Sequence, residues 1–294
     1  MVMTLESPKS SHFYFLLDKI EQELAKSILN LGEKTKLRDA CEYALKGSGK
    51  RFRPLLVMLT AEGIGHGYNV SEAAMAVEFF HTASLIADDL PSMDNEEERR
   101  GLPCVHKVYG ESIALLSTYA LICAAFEKIT LSGEMMRSAG YASADYATTL
   151  AMQHTSRCAG ICGATGGQYL DLFPPQLSLD GLKQIIYKKT VTLFEVSFVL
   201  GWIFGGGDLS RLDMVKRAAF HFGMAFQIMD DLNDMSQDEK NQKPINFARF
   251  VGKERSLFLF EEELRSFQKT LQQLDLYTPS FQKMSDMLSK QVAD

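Results

Sequence analysis

Two clusters of aspartates have the residue types and the spacing of a divalent-cation site. Asp230 and Asp234 are four residues apart, so they share one face of a helix with their carboxylates one above the other. Between Asp88 and Asp94, Pro91 interrupts the helix, which lets Asp94 return towards Asp88. Carboxylates that bind a hard cation together with substrate phosphates are typical of Mg²⁺ sites. Either cluster alone is equally typical of a solvated helix end, but the two together predict a Mg²⁺ site.

Two groups of basic residues near these clusters are suited to phosphate. A turn that contains two glycines presents Lys50, Arg51 and Arg53 just before a helix, whose N-terminus itself favours an anion. Arg99 and Arg100 follow the first acidic cluster, where they either bind phosphate oxygens in bidentate geometry or belong to a simple charge run. The turn lacks the Gly-Lys-Ser/Thr ending of a Walker loop, so we interpret it as a different kind of phosphate cradle.

Three single polar residues stand in otherwise apolar helices. His81 precedes Asp88 by seven residues, almost two turns, and therefore lies on the same helix face. Taken alone, such a histidine is more often a core residue. Lys189 has mostly apolar neighbours and needs an anion, and Gln227 lies three residues before Asp230. We expect Gln227 to donate a hydrogen bond to a bound phosphate.

The composition excludes several classes of protein. With 294 residues, of which 46% are hydrophobic and 23% charged, the chain has enough apolar material for a globular core. Its net charge of −6, without a block of consecutive Lys or Arg, argues against a nucleic-acid partner. We find neither a leader peptide nor the roughly 18 unbroken apolar residues of a membrane span. The expected location is the cytoplasm.

The five cysteines indicate a reduced protein. Their number is odd, and the chain is too long to need disulfides for stability. Cys158 and Cys162 are one helical turn apart, but we find no His or Cys pair at zinc-site spacing to complete a metal site. We interpret both as small buried apolar residues.

Apolar residues recur at three- and four-residue spacing between widely separated prolines, which predicts an all-α fold of about ten helices. With no composition shift and no internal repeat, residues 1–294 are expected to form one domain. Three apolar stripes are expected to face the core: Leu16, Ile20, Leu24 and Ile28; Leu115, Tyr119, Ile122 and Phe126; Ile185, Val191, Phe194, Phe198 and Trp202. The third is expected to be central.

Breaks are predicted at 47–50, 64–69, 95–110, 130–133, 173–180, 205–210 and 236–246. An amphipathic helix is predicted over 267–294.

From Lys50 to Asp234 the chain resembles the trans-isoprenyl diphosphate synthases, also called polyprenyl synthetases. The motifs that support the resemblance are Gly49-Lys50-Arg51-Phe52-Arg53-Pro54, Asp88 to Asp94 with Arg99-Arg100-Gly101, Gly166-Gly167-Gln168, Lys189-Thr190, and Phe226 to Asp234. One such motif is weak evidence, whereas five in the family's order are specific. The resemblance implies an isoprenoid-synthase-type helical bundle around a deep central cavity, usually as a homodimer. It also implies head-to-tail condensation of isopentenyl diphosphate with an allylic diphosphate.

The resemblance assigns a role to each matching residue. Isopentenyl diphosphate would be bound by Lys50, Arg51, Arg53, His81 and Arg100. Mg²⁺ ions that hold the allylic diphosphate would be bound by Asp88, Asp89, Asp94, Asp230, Asp231 and Asp234. The allylic diphosphate itself would be contacted by Arg99, Lys189, Thr190 and Gln227, which are the expected catalytic residues, with Gln168 nearby.

The length of the product depends on what closes the cavity below the first motif. Farnesyl-making relatives of the bacterial kind commonly have Tyr or Phe five residues before the first aspartate, and here that residue is Ala83, followed by Ser84. An open floor predicts a twenty-carbon product, geranylgeranyl diphosphate. Phe80, about 12 Å along the helix from Asp88, is either a deeper stop or a core residue, so farnesyl diphosphate is the alternative.

The chain departs from the family pattern at three places. Ala87 replaces a usual His, Thr118-Tyr119 replaces a usual Gly-Asp, and the loop over residues 240–247 lacks the usual lysines, with Lys243 as the available substitute. These departures leave open a catalytically impaired partner subunit. A class I terpene cyclase is a further alternative, although it would have no use for the isopentenyl site.

Overall fold

The computed structural model describes residues 12–174, 178–240 and 245–293, without the side chains of residues 236–240 and 293. Over these residues the fold is all-α, as predicted. The helices are α1 (His12–Leu29), α2 (Lys36–Lys46), α3 (Phe52–Ile64), α4 (Ser71–Asp88), α5 (Val105–Tyr109), α6 (Glu111–Ser138), α7 (Ala144–Ala159), α8 (Ala164–Leu172), α9 (Leu179–Ile186), α10 (Thr192–Phe204), α11 (Leu212–Lys240), α12 (Phe247–Val251), α13 (Lys253–Gln273) and α14 (Pro279–Ala293). A π-helical segment, Tyr187–Val191, joins α9 to α10, and a 3-10 turn, Leu209–Arg211, precedes α11. The prediction of about ten helices was too low.

Helix α10 lies at the centre of the bundle. All of its residues are buried, and it packs against α3, α4, α7 and α11. A helix that is apolar on every side is typical of a protein core. Its close approach to α3 requires Gly201, because a Cβ there would lie 2.6 Å from the carbonyl oxygen of Val57. The prediction that this segment is central is confirmed.

Two long helices on either side of the centre present the acidic clusters. Helix α4 is buried along most of its length, packs along α6 and ends at Asp88. Helix α11 packs against α10 and α13 and contains the second cluster. Aromatic rings fix α11 in place, since the ring centroids of Phe222 and Phe267 are 5.2 Å apart and those of Phe194 and Phe222 are 5.1 Å apart. The core therefore holds both clusters on long, well-packed helices.

The stripe predicted on α6 is confirmed only in part, since Ile122 and Phe126 pack against the core and the other two residues do not. Leu115 and Tyr119 are exposed, whereas Ala114, Thr118 and Ala125 form part of the buried face. Small residues on that face let α6 approach α4 closely. Because α6 is apolar on most sides, residue spacing alone could not select the buried face. The stripe predicted on α1 is confirmed, since all four of its residues are buried.

Helix α6 also satisfies a length-and-hydropathy test for a membrane span. Its most apolar stretch has a mean hydropathy of 1.5, and 39% of that stretch is buried. This is weak evidence for a span, because core helices of soluble proteins pass the same test. Here α6 packs along α4 within the bundle. The expectation of no membrane span stays a prediction.

The predicted breaks at 47–50, 64–69, 173–180 and 205–210 fall between helices, but the break at 130–133 was wrong. Helix α6 continues through this stretch. Gly133 there allows α7 to approach, since a Cβ would lie 1.9 Å from Thr148 Oγ1. The predicted tail helix over 267–294 corresponds to the end of α13 and to α14. Residues 236–240 of the predicted break at 236–246 belong to α11, and residues 241–244 lie outside the described residues. The break at 95–110 holds a hairpin of two short antiparallel strands, β1 (Glu98–Arg99) and β2 (Leu102–Pro103), and α5.

Candidate active site

The first acidic cluster forms a turn at the end of α4. The backbone N–H of Asp94 donates to the carbonyl oxygen of Asp88 at 2.9 Å, and that of Asn95 donates to Leu90 at 3.1 Å. Asn95 adopts a left-handed conformation with φ of 51°, which reverses the chain. The return of Asp94 towards Asp88, predicted from Pro91, is therefore confirmed.

Asp89 faces away from its neighbour Asp88. It is 3% exposed, and its Oδ1 accepts hydrogen bonds from Nε of Arg99 at 2.9 Å and from a terminal nitrogen of the same guanidinium. The pair ties the end of α4 to the β1–β2 hairpin, which contains Arg99. The metal-binding role expected for Asp89, and the direct diphosphate contact expected for Arg99, stay predictions.

In the second acidic cluster, too, the second aspartate is held by protein groups. Asp231 accepts hydrogen bonds from Nε2 of Gln227 at 2.8 Å and from the backbone N–H of Phe247 at 2.7 Å. Gln227 Oε1 in turn accepts from the hydroxyl of Thr190 at 2.8 Å. Thr190, Gln227 and Asp231 thus form one chain of hydrogen bonds that joins the π-helical segment to α11. The structure brings these three expected site residues together.

The first aspartate of each cluster, Asp88 or Asp230, lies in an environment that disfavours the ionised carboxylate. Burial raises the pKa of Asp88 to about 6, and the charge of Lys189 opposes this only in part. Burial likewise raises the pKa of Asp230 to about 7, opposed by Lys50 and reinforced by Asp234. Half-buried carboxylates close to further carboxylates fit a divalent cation. Mg²⁺ suits such an all-oxygen donor set.

A separate basic group surrounds His81. Its Nε2 lies 3.2 Å from Arg53 and 3.5 Å from Arg100. Because guanidinium groups only donate hydrogen bonds, Nε2 must accept and the ring proton must be on Nδ1. Burial, followed by the charges of Arg53 and Arg100, lowers the pKa of His81 well below its usual value. A neutral His81 therefore holds two guanidinium groups in a fork, and Arg53 also lies 4.3 Å from the centre of the Phe194 ring.

The glycine turn before α3 shapes this fork. At Gly49 a Cβ would lie 2.8 Å from the guanidinium of Arg100, so a larger residue there would displace the end of that side chain. Arg100 itself has φ of 56°, a conformation that costs energy for any residue other than glycine, and Ser48 Oγ donates to its carbonyl oxygen at 3.2 Å. Such local strain clusters at functional sites. The backbone there is arranged to aim Arg100 at His81.

Arg51 lies outside the fork. Its guanidinium is buried and donates to Glu78, to Glu21 at 2.7 Å and to the carbonyl oxygen of Leu45 at 2.8 Å. These contacts engage protein groups along most of the guanidinium, and the binding role expected for Arg51 stays a prediction. Arg51 holds the glycine turn to α1 and α4. Lys50, by contrast, is exposed, and its charge partly opposes the rise in the pKa of Asp230 that burial causes.

The π-helical segment presents Lys189 and Thr190 beside α8. Gly167 of α8 lies against its backbone, where a Cβ would be 2.3 Å from the Lys189 nitrogen. Lys189 pairs with Asp171. Burial lowers the pKa of Lys189, but the charges of Asp171 and Asp88 outweigh it and raise the pKa overall. A π-helical insertion in a helix is frequently a mark of a functional site.

Gln168 is placed to meet a ligand. Both polar atoms of its side-chain amide are shielded from solvent and have no hydrogen-bond partner. A buried amide without partners is costly, so such a group in a native fold calls for a ligand or water. Gln168 lines the same cavity as Asp88 and Lys189. This placement agrees with the expectation that it lies near a diphosphate.

A cavity of about 360 Å³ runs from the charged residues into the bundle. Asp88 and Lys189 stand at its polar end, and most of its other lining residues are apolar. Phe80, Ala83 and Ser84 all line it, so Phe80 faces the cavity. The Phe80 ring packs edge-on against Phe126 of α6, with centroids 5.1 Å apart. The cavity thus has an open level at Ala83 and an aromatic residue one turn deeper.

Some residues of this site were missed in the sequence. Asp171, the partner of Lys189, follows Gln168 by three residues on one helix, and that spacing was a usable signal. Phe194 and Phe126 were predicted only to face the core, and their contacts with Arg53 and Phe80 had no local signal, because tertiary packing alone brings them there. Lys243, the expected substitute for a missing lysine, lies outside the described residues.

Comparison with known proteins agrees with this geometry. The chain is 36% identical over 261 residues to the "Heterodimeric geranylgeranyl pyrophosphate synthase large subunit 2" of Arabidopsis thaliana, covering 83% of this chain but only 66% of that relative. It is 35% identical over 257 residues to "Geranylgeranyl pyrophosphate synthase 3, chloroplastic" of the same plant, covering 82% of this chain and 70% of the relative.

Solved structures share the fold over nearly the whole chain. A geranyltranstransferase from Thermotoga maritima superimposes with a TM-score of 0.79 at 28% identity, covering 95% of this chain and 100% of that one. An FPP/GFPP synthase from Zymomonas mobilis gives a TM-score of 0.78 at 27% identity, covering 90% and 96%. The family profile described as "Polyprenyl synthetase" matches residues 34–247. This chain therefore belongs to the polyprenyl synthetase family of prenyltransferases.

Proposed function

We propose that this protein condenses isopentenyl diphosphate with an allylic diphosphate and releases geranylgeranyl diphosphate. The observation that carries the proposal is the cavity of about 360 Å³, which has Asp88 and Lys189 at its polar end and an apolar interior. The arrangement suits a substrate with a diphosphate head and a hydrocarbon tail. The names of the plant relatives support the product, since those relatives are geranylgeranyl pyrophosphate synthases.

The allylic diphosphate binds at the polar end of the cavity in this proposal. Mg²⁺ would be held by Asp88 and Asp94 on one side and by Asp230 and Asp234 on the other, and would neutralise the charge that develops on the leaving diphosphate. Lys189 adds a cation there, and Gln168 gains hydrogen-bond partners for its amide. Asp89 and Asp231 are proposed to support the metal site from behind, through the contacts that they make with protein groups.

Isopentenyl diphosphate binds at the fork of Arg53, His81 and Arg100, with Lys50 at its exposed side. Neutral His81 orients both guanidinium groups, so their remaining N–H groups converge on a diphosphate without rearrangement. The double bond of isopentenyl diphosphate then faces the allylic carbon. The apolar cavity wall excludes the water that would otherwise trap the allylic cation.

The decisive experiment uses purified protein with Mg²⁺, isopentenyl diphosphate and dimethylallyl, geranyl or farnesyl diphosphate in turn, with product length read by mass spectrometry. A twenty-carbon diphosphate supports the proposal. A fifteen-carbon product would keep the prenyltransferase chemistry and replace the product with farnesyl diphosphate. No condensation with any primer would favour the non-catalytic partner subunit. Diphosphate release from geranylgeranyl diphosphate alone would indicate a cyclase.

The open level at Ala83 sets the product length in this proposal. Ala83→Tyr places an aromatic ring across the cavity one turn above Phe80, so the main product should shorten from twenty to fifteen carbons. Ala139→Tyr is the matched control, because Ala139 is exposed at the end of α6 and should leave the product unchanged. Helical circular dichroism should be retained in both variants. An Ala83→Tyr enzyme that still makes the twenty-carbon product would overturn the role of this position.

We further propose a cytoplasmic homodimer that associates through α6. Leu115, Leu116 and Tyr119 form an exposed apolar strip on this helix, and such a strip is suited to a protein interface. The cysteines at all five positions are free, which suits a reducing compartment. Leu116→Glu should give a monomer in light scattering after gel filtration. A variant that stays dimeric would move the interface elsewhere.

A further inference from the structure

Three metal-ligating side chains meet on the side of the bundle core where α7 packs against α10. His154 and Cys158 are four residues apart on α7 and therefore share one face, and Glu195 of α10 points at them. This group was not predicted from the sequence, where only Cys162 was considered as a second metal ligand beside Cys158. Cys162 is exposed, so the expectation that both cysteines are buried is wrong for that residue.

Two of the three distances between the ligand atoms match the edges of a metal tetrahedron. A tetrahedral Zn²⁺ with ordinary bond lengths places sulfur and nitrogen ligands about 3.6 Å apart, and nitrogen and oxygen ligands about 3.3 Å apart. Here Sγ of Cys158 lies 3.5 Å from Nε2 of His154, and that nitrogen lies 3.4 Å from Oε1 of Glu195. All three atoms lie within 4.8 Å of one another.

Hydrogen bonding explains the contact of Cys158 with His154 but explains the contact of His154 with Glu195 less well. An N–H donor and a carboxylate normally approach to about 2.9 Å, so a separation of 3.4 Å is long for a His–Glu pair. The other carboxylate oxygen of Glu195 accepts from the hydroxyl of Tyr187 at 3.3 Å, which leaves Oε1 on the side of the imidazole. Outer hydrogen bonds of this kind orient metal ligands.

Burial also separates this group from ordinary surface clusters. The side chains of His154 and Glu195 are 10% and 8% exposed, and Cys158 is buried. Burial raises the pKa of Cys158 to about 12 and lowers that of His154 to about 4. Without a cation the group therefore contains a thiol and a neutral imidazole. A thiol held in this way is a poor nucleophile, which argues against a reactive cysteine.

We propose that His154, Cys158 and Glu195 bind a Zn²⁺ ion, with a fourth position left for water. One sulfur, one nitrogen and one oxygen ligand suit this borderline metal and do not suit Mg²⁺, which prefers oxygen. On binding, the Cys158 S–H bond breaks, the sulfur coordinates the metal as thiolate and the proton passes to solvent. The charges of Arg157 and Lys216 favour the thiolate and carboxylate forms.

The ion would join two helices directly behind the wall of the cavity. Ala159, next to Cys158, and Leu193, two residues before Glu195, both line that cavity. A metal bridge between α7 and α10 would therefore fix the separation of two wall segments. The inference does not depend on the proposed product, because the group is separate from both aspartate clusters.

Co²⁺ is the probe of choice, because it substitutes for Zn²⁺ and gives a thiolate-to-metal charge-transfer band in the near ultraviolet. The full chain is first saturated with excess Mg²⁺, which occupies oxygen-rich sites and competes poorly at a thiolate. Wild-type protein should then show the band, saturating at about one Co²⁺ per chain, and added Zn²⁺ should abolish it. Absence of the band in folded wild-type protein would overturn the proposal without any variant.

Two cysteine variants assign the ligand. Cys158→Ser should remove the band, whereas Cys162→Ser, four residues further along and exposed, should retain it. Glu195→Gln should weaken Co²⁺ binding at least tenfold while keeping a thiolate band at high metal concentration. Circular dichroism confirms that each variant is folded. A band that survives Cys158→Ser, or disappears in folded Cys162→Ser, would place the metal elsewhere.

Discussion

The two aspartate motifs bring carboxylates together by different backbone routes. In the first, α4 ends at Asp88, and a turn with a backbone hydrogen bond of 2.9 Å returns Asp94 to it. In the second, α11 continues without a break, and one helical turn places Asp234 above Asp230. The first arrangement depends on a tight turn and the second on helix geometry alone.

The motifs agree in what each does with its second aspartate. Asp89 pairs with Arg99, and Asp231 accepts from Gln227 and from the backbone of Phe247. Adjacent residues on a helix point about 100° apart, so the second aspartate of each pair can meet partners that the first does not. We propose that the first aspartate of each pair faces the ligand site and that the second holds the loop or hairpin beside it.

The largest expected effect is on turnover. Asp88→Asn or Asp230→Asn should lower kcat by about 10²–10³, because each removes a carboxylate from the cation site. Asp89→Asn or Asp231→Asn should lower kcat only about tenfold, since each acts through its protein partners. Asp213→Asn on α11 is the matched control, as its side chain is 95% exposed, and it should leave kcat unchanged. Equal losses at Asp88 and Asp89 would show that the division of roles is wrong.

The variants Asp230→Asn and Asp231→Asn should change the free energy of unfolding in opposite directions. The pKa of Asp230 is raised to about 7 in the fold, so its contribution to stability is fully present below about pH 4 and is lost as the pH rises through 7. At pH 8 without metal, Asp230→Asn should therefore stabilise the protein by on the order of 2 kcal/mol. Asp231→Asn should destabilise it by about 1–3 kcal/mol, because asparagine has one acceptor oxygen for two donors, so either the Gln227 amide or the N–H of Phe247 loses its acceptor.

Thermal melting from pH 4 to pH 8 measures this difference. Each kcal/mol corresponds to a shift in Tm of about 2–4 °C for a chain somewhat smaller than this one. Wild-type protein should lose stability relative to Asp230→Asn as the pH rises, and Mg²⁺ should restore it in the wild type only. A lower Tm for metal-free Asp230→Asn at pH 8 would contradict the assigned burial cost.

Much of the site was readable from the sequence because charged residues in apolar helices have few alternatives. The pairing of Asp88 with Asp94 followed from Pro91, and the grouping of Asp230 with Asp234 followed from helix geometry. The direction of Arg51 was not readable. Its partners Glu21 and Glu78 lie on α1 and α4, and only the folded chain shows that they draw its guanidinium into the protein.

The buried face of a helix could be predicted from the sequence where the opposite face is polar, but not where the helix is apolar on most sides. The stripe on α1 was identified because one face of that helix is polar. On α6 the larger residues Leu115 and Tyr119 suggested a core face, yet small residues are buried there because α4 packs so closely. Gly133 suggested a break for the same reason, although it is a contact point for α7. Residue type alone does not distinguish a glycine that ends a helix from one that admits a neighbour.

The smallest expected effect concerns the hydrogen-bond chain behind the second motif. Thr190→Val removes the hydroxyl that donates to Gln227 at 2.8 Å but keeps the side-chain shape, so Gln227 loses one of the two contacts that orient it. One neutral hydrogen bond is worth about 0.5–1.5 kcal/mol, which corresponds to a decrease in kcat of about two- to tenfold. Thr149→Val is the control, because its hydroxyl bonds only within an exposed turn of α7.

If Thr190 acts through Asp231, the decrease in kcat of the double variant with Asp231→Asn should be smaller than the product of the two single decreases. Fully multiplicative losses would mean that Thr190 contributes by another route, such as direct contact with the diphosphate.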